Sequence, residues 1–326
     1  MTIFACVGCE AALTAPMAEV ALPAHAHAKW GNGVAMPVLM AAGTYAVDPE
    51  PTGWPWRRWT EISEAEAAAQ GVFAPVWSVS FAPAGSIVTA PGDAVGTALI
   101  PGRHSGFCCG LDGGDGPNLA CAQCGKPVAT RIDDCSFWQA VWFEPEAVRA
   151  VPGAVPAPIA TRFSNRFGEL EAAGGLVLAR LVAISEGMPI TVPDGPVADL
   201  LRRALDKVLP AGAKTKTAAL AGPGLPERDA DIYLVPGEHP AGARTVAVPD
   251  EVWSHLAFPS RWPPIPATGG FPDGVLRDDP PPRPPRGFSE PDRGVFLHAL
   301  ARMPAVREPW LREIYDLVRA DWHALR

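Results

Sequence analysis

Phe4-Ala-Cys6-Val-Gly-Cys9-Glu-Ala-Ala-Leu13-Thr-Ala15 and Leu119-Ala-Cys121-Ala-Gln-Cys124-Gly-Lys-Pro-Val128-Ala-Thr130 are one pattern used twice. Each copy has an apolar residue two before its first cysteine, a C-x-x-C spacing, and an apolar residue four after its second. The chain has seven cysteines in 326 residues, the others being Cys108, Cys109 and Cys135, so none lies in the second half. Residues 1–10 have neither a basic stretch nor an apolar core of the kind an export signal needs. Without such a signal, and with an odd count, paired C-x-x-C spacings predict metal ligands or redox thiols rather than a disulfide framework.

A tight turn between two cysteines at this spacing aims both thiolates at one ion, while the flanking apolar residues pack beneath it. This is the chemistry of a zinc knuckle. The two segments resemble zinc-ribbon proteins, and the resemblance implies one tetrahedral zinc held by Cys6, Cys9, Cys121 and Cys124. It covers these segments alone, and the 112 positions from Cys9 to Cys121 imply that a whole subdomain is inserted between them.

Two other partitions of the cysteines stay open. In one, Cys109, Cys121, Cys124 and Cys135 form a local site and Cys6 and Cys9 pair with His25 and His27. In the other there is no metal, and Cys108–Cys109 or a C-x-x-C cycles between thiol and disulfide. Local closure costs less chain entropy, but the cost grows only by about 0.6 kcal/mol per doubling of loop length, so repetition of the pattern favours the first partition. There His104, Cys108, Cys109 and Cys135 either bind a second zinc or remain as they are. With an open position for water and Asp133 or Asp134 as general base, that second cluster would make a zinc-dependent hydrolase. Asp112, Asp115 and Asn118 sit in a Gly-rich run that misses the calcium-loop pattern, and predict a turn.

Several chemistries are excluded by motif. The residue before Cys121 is Ala120 and no His-x-Glu occurs, which excludes the zinc deaminases of nucleosides and nucleobases. H-E-x-x-H, G-x-S-x-G, Walker A and G-x-G-x-x-G are all absent. Gly125 and Pro127 follow the second pair directly and favour a turn over the helix of a thioredoxin-type site. Net charge is −8, and residues 1–150 carry 7 Lys/Arg against 14 Asp/Glu, so the cysteine-bearing half lacks the basic face that phosphate neutralisation requires. No apolar run reaches membrane-spanning length.

With 38 prolines, 32 glycines and only 19% charged residues, long helical bundles are excluded. The predicted class is α+β. Residues 1–150 form a mostly β, zinc-binding domain with strands over 34–40, 43–47, 72–81, 86–89 and 137–143, a segment at 96–100 that leads to the cysteine-bearing loop, and a helix from Ser63 to Gln70 with a capping box to Glu66. Residues 49–59, with Trp54, Trp56 and Trp59, predict a strap packed down on the domain. After a Pro-rich linker at 151–160, residues 151–326 form an α+β domain. It has helical spacing at 167–184 broken by Gly174-Gly175, a helix at 196–209 capped by Asp194, and strands at 232–236 and 245–248. A Pro-rich segment at 259–287 and an amphipathic helical tail at 291–325 complete it. The expected function is that of a cytoplasmic protein-interaction module with structural zinc, with protein rather than nucleic acid or membrane as partner. The zinc-dependent hydrolase is the alternative, its small-molecule substrate unknown.

Overall fold

Short apolar runs broken by glycine and proline give short strands, and tight turns let many of them pair in one sheet. The computed structural model describes residues 1–28, 38–103, 110–134, 137–153, 166–237, 242–259, 290–321 and 324–325. Its class is α+β, and its chain divides into two compact units. Among the described residues no helix is long and apolar enough to cross a membrane. The Pro-rich stretch at 259–287, beyond its first residue, and the linker from 154 onward lie outside the described residues, as does most of 34–40.

The first unit holds strands β1 (Thr2–Cys6), β2 (Ala18–Glu19), β3 (Thr44–Val47), β4 (Trp56–Arg58), helix α1 (Glu64–Ala69), β5 (Ser78–Ser80), β6 (Ile87–Thr89), β7 (Thr97–Leu99), β8 (Leu119–Cys121), β9 (Pro127–Ile132), β10 (Ala140–Phe143) and β11 (Val148–Pro152). Seven of the strands form a sheet in the order β2-β3-β6-β10-β9-β8-β7, antiparallel except for β2 with β3. β10 is its middle strand and is buried on both faces. Val141 and Phe143 join Phe4, Leu13, Leu119 and Val128 in one core, and Ala140 and Trp142 join Trp138, Val88 and Ala46 in another. This explains why 140–143 is apolar without alternation, and the strand expected over 137–143 forms only there. β1 pairs with β11, Cys6 opposite Val148, outside the large sheet.

The capping box forms as expected: the Glu66 N–H donates to Ser63 Oγ at 3.2 Å, and the Ser63 N–H to Glu66 Oε2 at 2.8 Å. The Ser63 N–H and hydroxyl, with Arg57, hold the Glu66 carboxyl down at about 2. Gly71 closes the helix at φ +73°. The continuous strand expected over 72–81 does not form, since only Ser78–Ser80 pairs, with β4. Val72–Pro75 instead belongs to the second unit, where the Phe73 N–H donates to Ala301 O and the Tyr315 hydroxyl to Pro75 O, both at 2.7 Å.

The second unit contains helix α2 (Arg166–Ser185), β12 (Ile190–Thr191), α3 (Pro196–Val208), β13 (Lys216–Leu220), β14 (Ile232–Pro236), β15 (Thr245–Val248), α4 (Asp250–Ala257), α5 (Arg293–Ala301) and α6 (Pro309–Ala320). Its four strands run parallel in sequence order. Gly174 and Gly175 do not interrupt α2. They lie where it meets α3 and α5: a Cβ on Gly174 would sit 3.0 Å from Leu200, and one on Gly175 would run into the carbonyl of Asp292. Close helix approach outweighs the roughly 1 kcal/mol that each glycine costs in a helix interior. The residue capping α3 is Gly195 at φ +124°, not Asp194, whose carboxylate instead accepts from Arg202 at 2.6 Å. The tail forms α5 and α6 around a turn at Pro304–Arg307, burying Val295, Leu300, Leu311, Ile314, Tyr315 and Val318.

Candidate metal centre

The repeated segments adopt the same backbone. The Cys6 N–H donates to Ala11 O at 2.9 Å and the Cys121 N–H to Lys126 O at 2.8 Å. The Glu10 N–H donates to Cys6 O at 2.9 Å and the Gly125 N–H to Cys121 O at 2.8 Å. The residue after each second cysteine is left-handed, Glu10 at φ +64° and Gly125 at φ +75°. A non-glycine residue in that region carries a cost, so the turn is imposed on Glu10 by its surroundings. The flanking apolar residues do what the pattern requires: Phe4, Leu13, Leu119 and Val128 are all buried in one core.

Each turn rides on a strand held by the rest of the unit. β1 pairs with β11, and β8 lies between β7 and β9. Gly96, which no motif marks, ties the two turns together. Its N–H donates to Leu13 O at 3.4 Å, and its carbonyl accepts from the Ala122 N–H at 2.9 Å. A Cβ there would collide with the carbonyl of Ala12. Absence of a side chain at the crossing is the only signal by which the sequence could have revealed it.

Cys6, Cys9, Cys121 and Cys124 converge, their four sulfurs within 4.8 Å of one another. Cys6 Sγ lies 3.7 Å from Cys124 Sγ, and Cys9 Sγ lies 3.5 Å from Cys121 Sγ. Zinc–sulfur bonds of about 2.3 Å set the edge of an S4 tetrahedron at about 3.8 Å, so the spacing fits one closed four-thiolate shell. The first cysteine of each pair is buried; Cys9 is half-buried and Cys124 exposed. The Gly8 N–H points at Cys6 Sγ at 3.4 Å, as thiolate stabilisation requires.

The thiols differ in acidity. Burial raises Cys121, but the N–H groups of Cys124 and Gln123 and the thiols of Cys9 and Cys124 outweigh it and bring it to about 7. The Ala11 N–H lowers Cys9, yet desolvation and the three neighbouring sulfurs push it up to about 12. Four sulfurs this close cannot all ionise unless a cation sits among them, which is the chemistry of a metal ligand set.

The pairing of Cys6 and Cys9 with His25 and His27 is overturned: both cysteines face the second knuckle. His25 is buried with its ring 4.2 Å from that of Trp138, and His27 Nε2 lies 3.3 Å from the buried Asp48. His104, Cys108, Cys109 and Cys135 lie outside the described residues, so the second cluster does too. The two aspartates proposed beside it are occupied in turns. Asp133 accepts from the Leu111 N–H at 2.8 Å and from Arg131 at 3.1 Å; Asp134, fully buried, accepts from the Gly110 N–H at 3.3 Å. The 112–118 stretch is the expected Gly-rich turn, with Asp112 accepting from the Gly114 N–H and Asn118 clasping the Arg131 backbone. The tryptophan strap departs from expectation: Trp54 is 55% and Trp56 45% exposed, while Trp59 is half-buried. No family model, curated protein or solved structure matches the chain.

Proposed function

We propose that the chain is a zinc-binding protein-interaction module of zinc-ribbon type, acting in the cytoplasm, in which zinc is structural. The convergence of four cysteine sulfurs from two knuckles 112 positions apart carries this reading. Four thiolates fill the tetrahedral shell of zinc and leave no position for a substrate or an activated water. The donor set also favours zinc over the hard cations, which take oxygen ligands. The ion would act as a cross-link, holding the hairpin of β8 and β9 to the return of the chain after β1 and so fixing one end of the first unit. The acidic balance of that unit argues for a protein partner over nucleic acid.

Elemental analysis with X-ray absorption at the zinc edge tests the proposal on protein purified without chelator. The expected result is one zinc per chain in an all-sulfur shell at about 2.3 Å. Substoichiometric zinc, or a shell containing oxygen, would remove the closed structural site.

A further inference from the structure

β7 is an edge of the large sheet, and no described strand pairs with its outer side. On its inner side it runs antiparallel to β8, with Thr97 opposite Cys121, Ala98 opposite Ala120 and Leu99 opposite Leu119. Just beyond the strand at either end, the Ile100 N–H donates to Asn118 O at 2.8 Å and the Ala122 N–H to Gly96 O at 2.9 Å. Hydrogen-bonded pairs alternate along an antiparallel ladder, so Gly96, Ala98 and Ile100 turn their peptide groups towards β8. Thr97 and Leu99 therefore aim theirs outward, as two N–H donors and two carbonyls that no described residue takes. The side chains stop short at the same place. Ile87, Phe143, Ala129 and Leu119 form a buried row that crosses the sheet one residue per strand, and Leu99 is its next member. Leu99 is nevertheless 57% exposed.

Exposed strand edges are ordinarily blunted by a charge or a proline. From Ala94 to Ile100 the chain has neither, and Val95 is 60% exposed. We propose that β7 pairs antiparallel with β7 of a second copy of this chain, about a two-fold axis at Ala98, joining two seven-stranded sheets into one. Symmetry selects this occupant. Pairing centred on Ala98 sets Thr97 against Leu99 of the copy and Leu99 against its Thr97, so the outward donors and carbonyls of each edge meet those of the other in four hydrogen bonds. Such pairing would also crowd any charge of one copy against the same charge of the other, so an uncharged edge is what self-association requires. Leu99, the exposed end of the buried row, gains a neighbouring strand. A pairing over three residues is a small interface, and the dimer is accordingly weak and concentration-dependent. The inference goes beyond the structural-zinc reading and stands on the sheet edge alone.

Sedimentation equilibrium of the full chain as purified, from about 10 to about 500 µM, is the test. A monomer–dimer equilibrium with a Kd of about 100 µM is expected of so small a contact. Leu99→Asp and Thr97→Lys should each weaken it at least about tenfold while zinc content stays unchanged, because each brings a charge without a partner into the new strand pair. Mixed in equal amounts, the two variants should regain association, since the carboxylate of one then faces the ammonium of the other across the two-fold axis. A chain that stays monomeric across the whole range overturns the proposal. So does a dimer that persists in both single variants, which would place the contact elsewhere, and so do variants that remain apart when mixed, which would refute the register. Zinc is measured in the same samples: a zinc-free chain that dimerises through this edge sinks the structural-zinc reading and upholds the pairing, whereas a zinc-loaded chain that stays monomeric sinks the pairing alone.

Discussion

Serine in place of Cys121 should strip the metal from the first unit and remove most of its stability, and Cys6→Ser should do the same. The ion would join Cys9 to Cys121 across 112 positions. In the chain-entropy account of cross-links, closing a loop of about 100 residues removes about 4.7 kcal/mol from the unfolded state. That is a lower estimate, since structural zinc sites contribute about 10–16 kcal/mol of apparent binding free energy. A domain of this size is stable by only about 5–15 kcal/mol, so loss of the cross-link consumes most of its margin. The measurement pairs zinc content with denaturant unfolding followed by tryptophan emission, to which the buried Trp138 and Trp142 of this unit report. Equal loss of zinc and stability in both variants is expected, because they would remove ligands of one ion. Full metal retention by Cys6→Ser alongside loss in Cys121→Ser would refute the shared site. A stability change under about 1 kcal/mol in either variant would refute the cross-link.

Acid should weaken the first unit through His25, whose burial lowers its pKa from 6.5 to about 4. Above pH 6.5 the ring is neutral in both states. Between 6.5 and 4 only the unfolded chain takes the proton, so stability falls with pH by up to about 3 kcal/mol and falls no further below 4. His25→Phe keeps the ring against Trp138 and should flatten that part of the profile, and an unchanged slope would show that His25 is not its source. Gly96→Ala should cost about 1–3 kcal/mol, because its Cβ meets the Ala12 carbonyl; unfolding midpoints within error of the parent would contradict the crossing. At Glu10, held at φ +64°, valine should cost about 1–2 kcal/mol and glycine less than about 1, since glycine loses only an exposed ion pair to Arg149. Chelator competition that ranks glycine below valine would overturn that account.

The knuckles were legible because their signal is local and duplicated. Spacing fixes the turn, and the apolar residues at Phe4, Leu13, Leu119 and Val128 fix which side goes down. The capping box at Ser63 and Glu66 and the strands at Ile232–Pro236 and Thr245–Val248 were legible for the same reason. What failed depended on distant partners. Gly174-Gly175 reads as a helix break until α5 is seen to need the space, and Gly96 carries no sign that two turns cross at it. The other two strands of the parallel sheet, Ile190–Thr191 and Lys216–Leu220, are too short or too rich in alanine to stand out. The exposure of Trp54 and Trp56 could not be anticipated, because aromatic composition alone argues for burial.

The separation of the two knuckles along the chain also sets a timetable for biosynthesis. Ribosomes add about 5–20 residues per second, so Cys121 follows Cys9 by roughly 6–22 s. Through that interval the N-terminal pair of thiols has no partners, and β1 has no β11, since Val148–Pro152 emerges later still. The nascent segment would hold a half-formed metal site open to oxidation and to whatever soft cation it meets first. Cellular zinc supply during translation, rather than after release, would then govern the yield of correctly assembled protein.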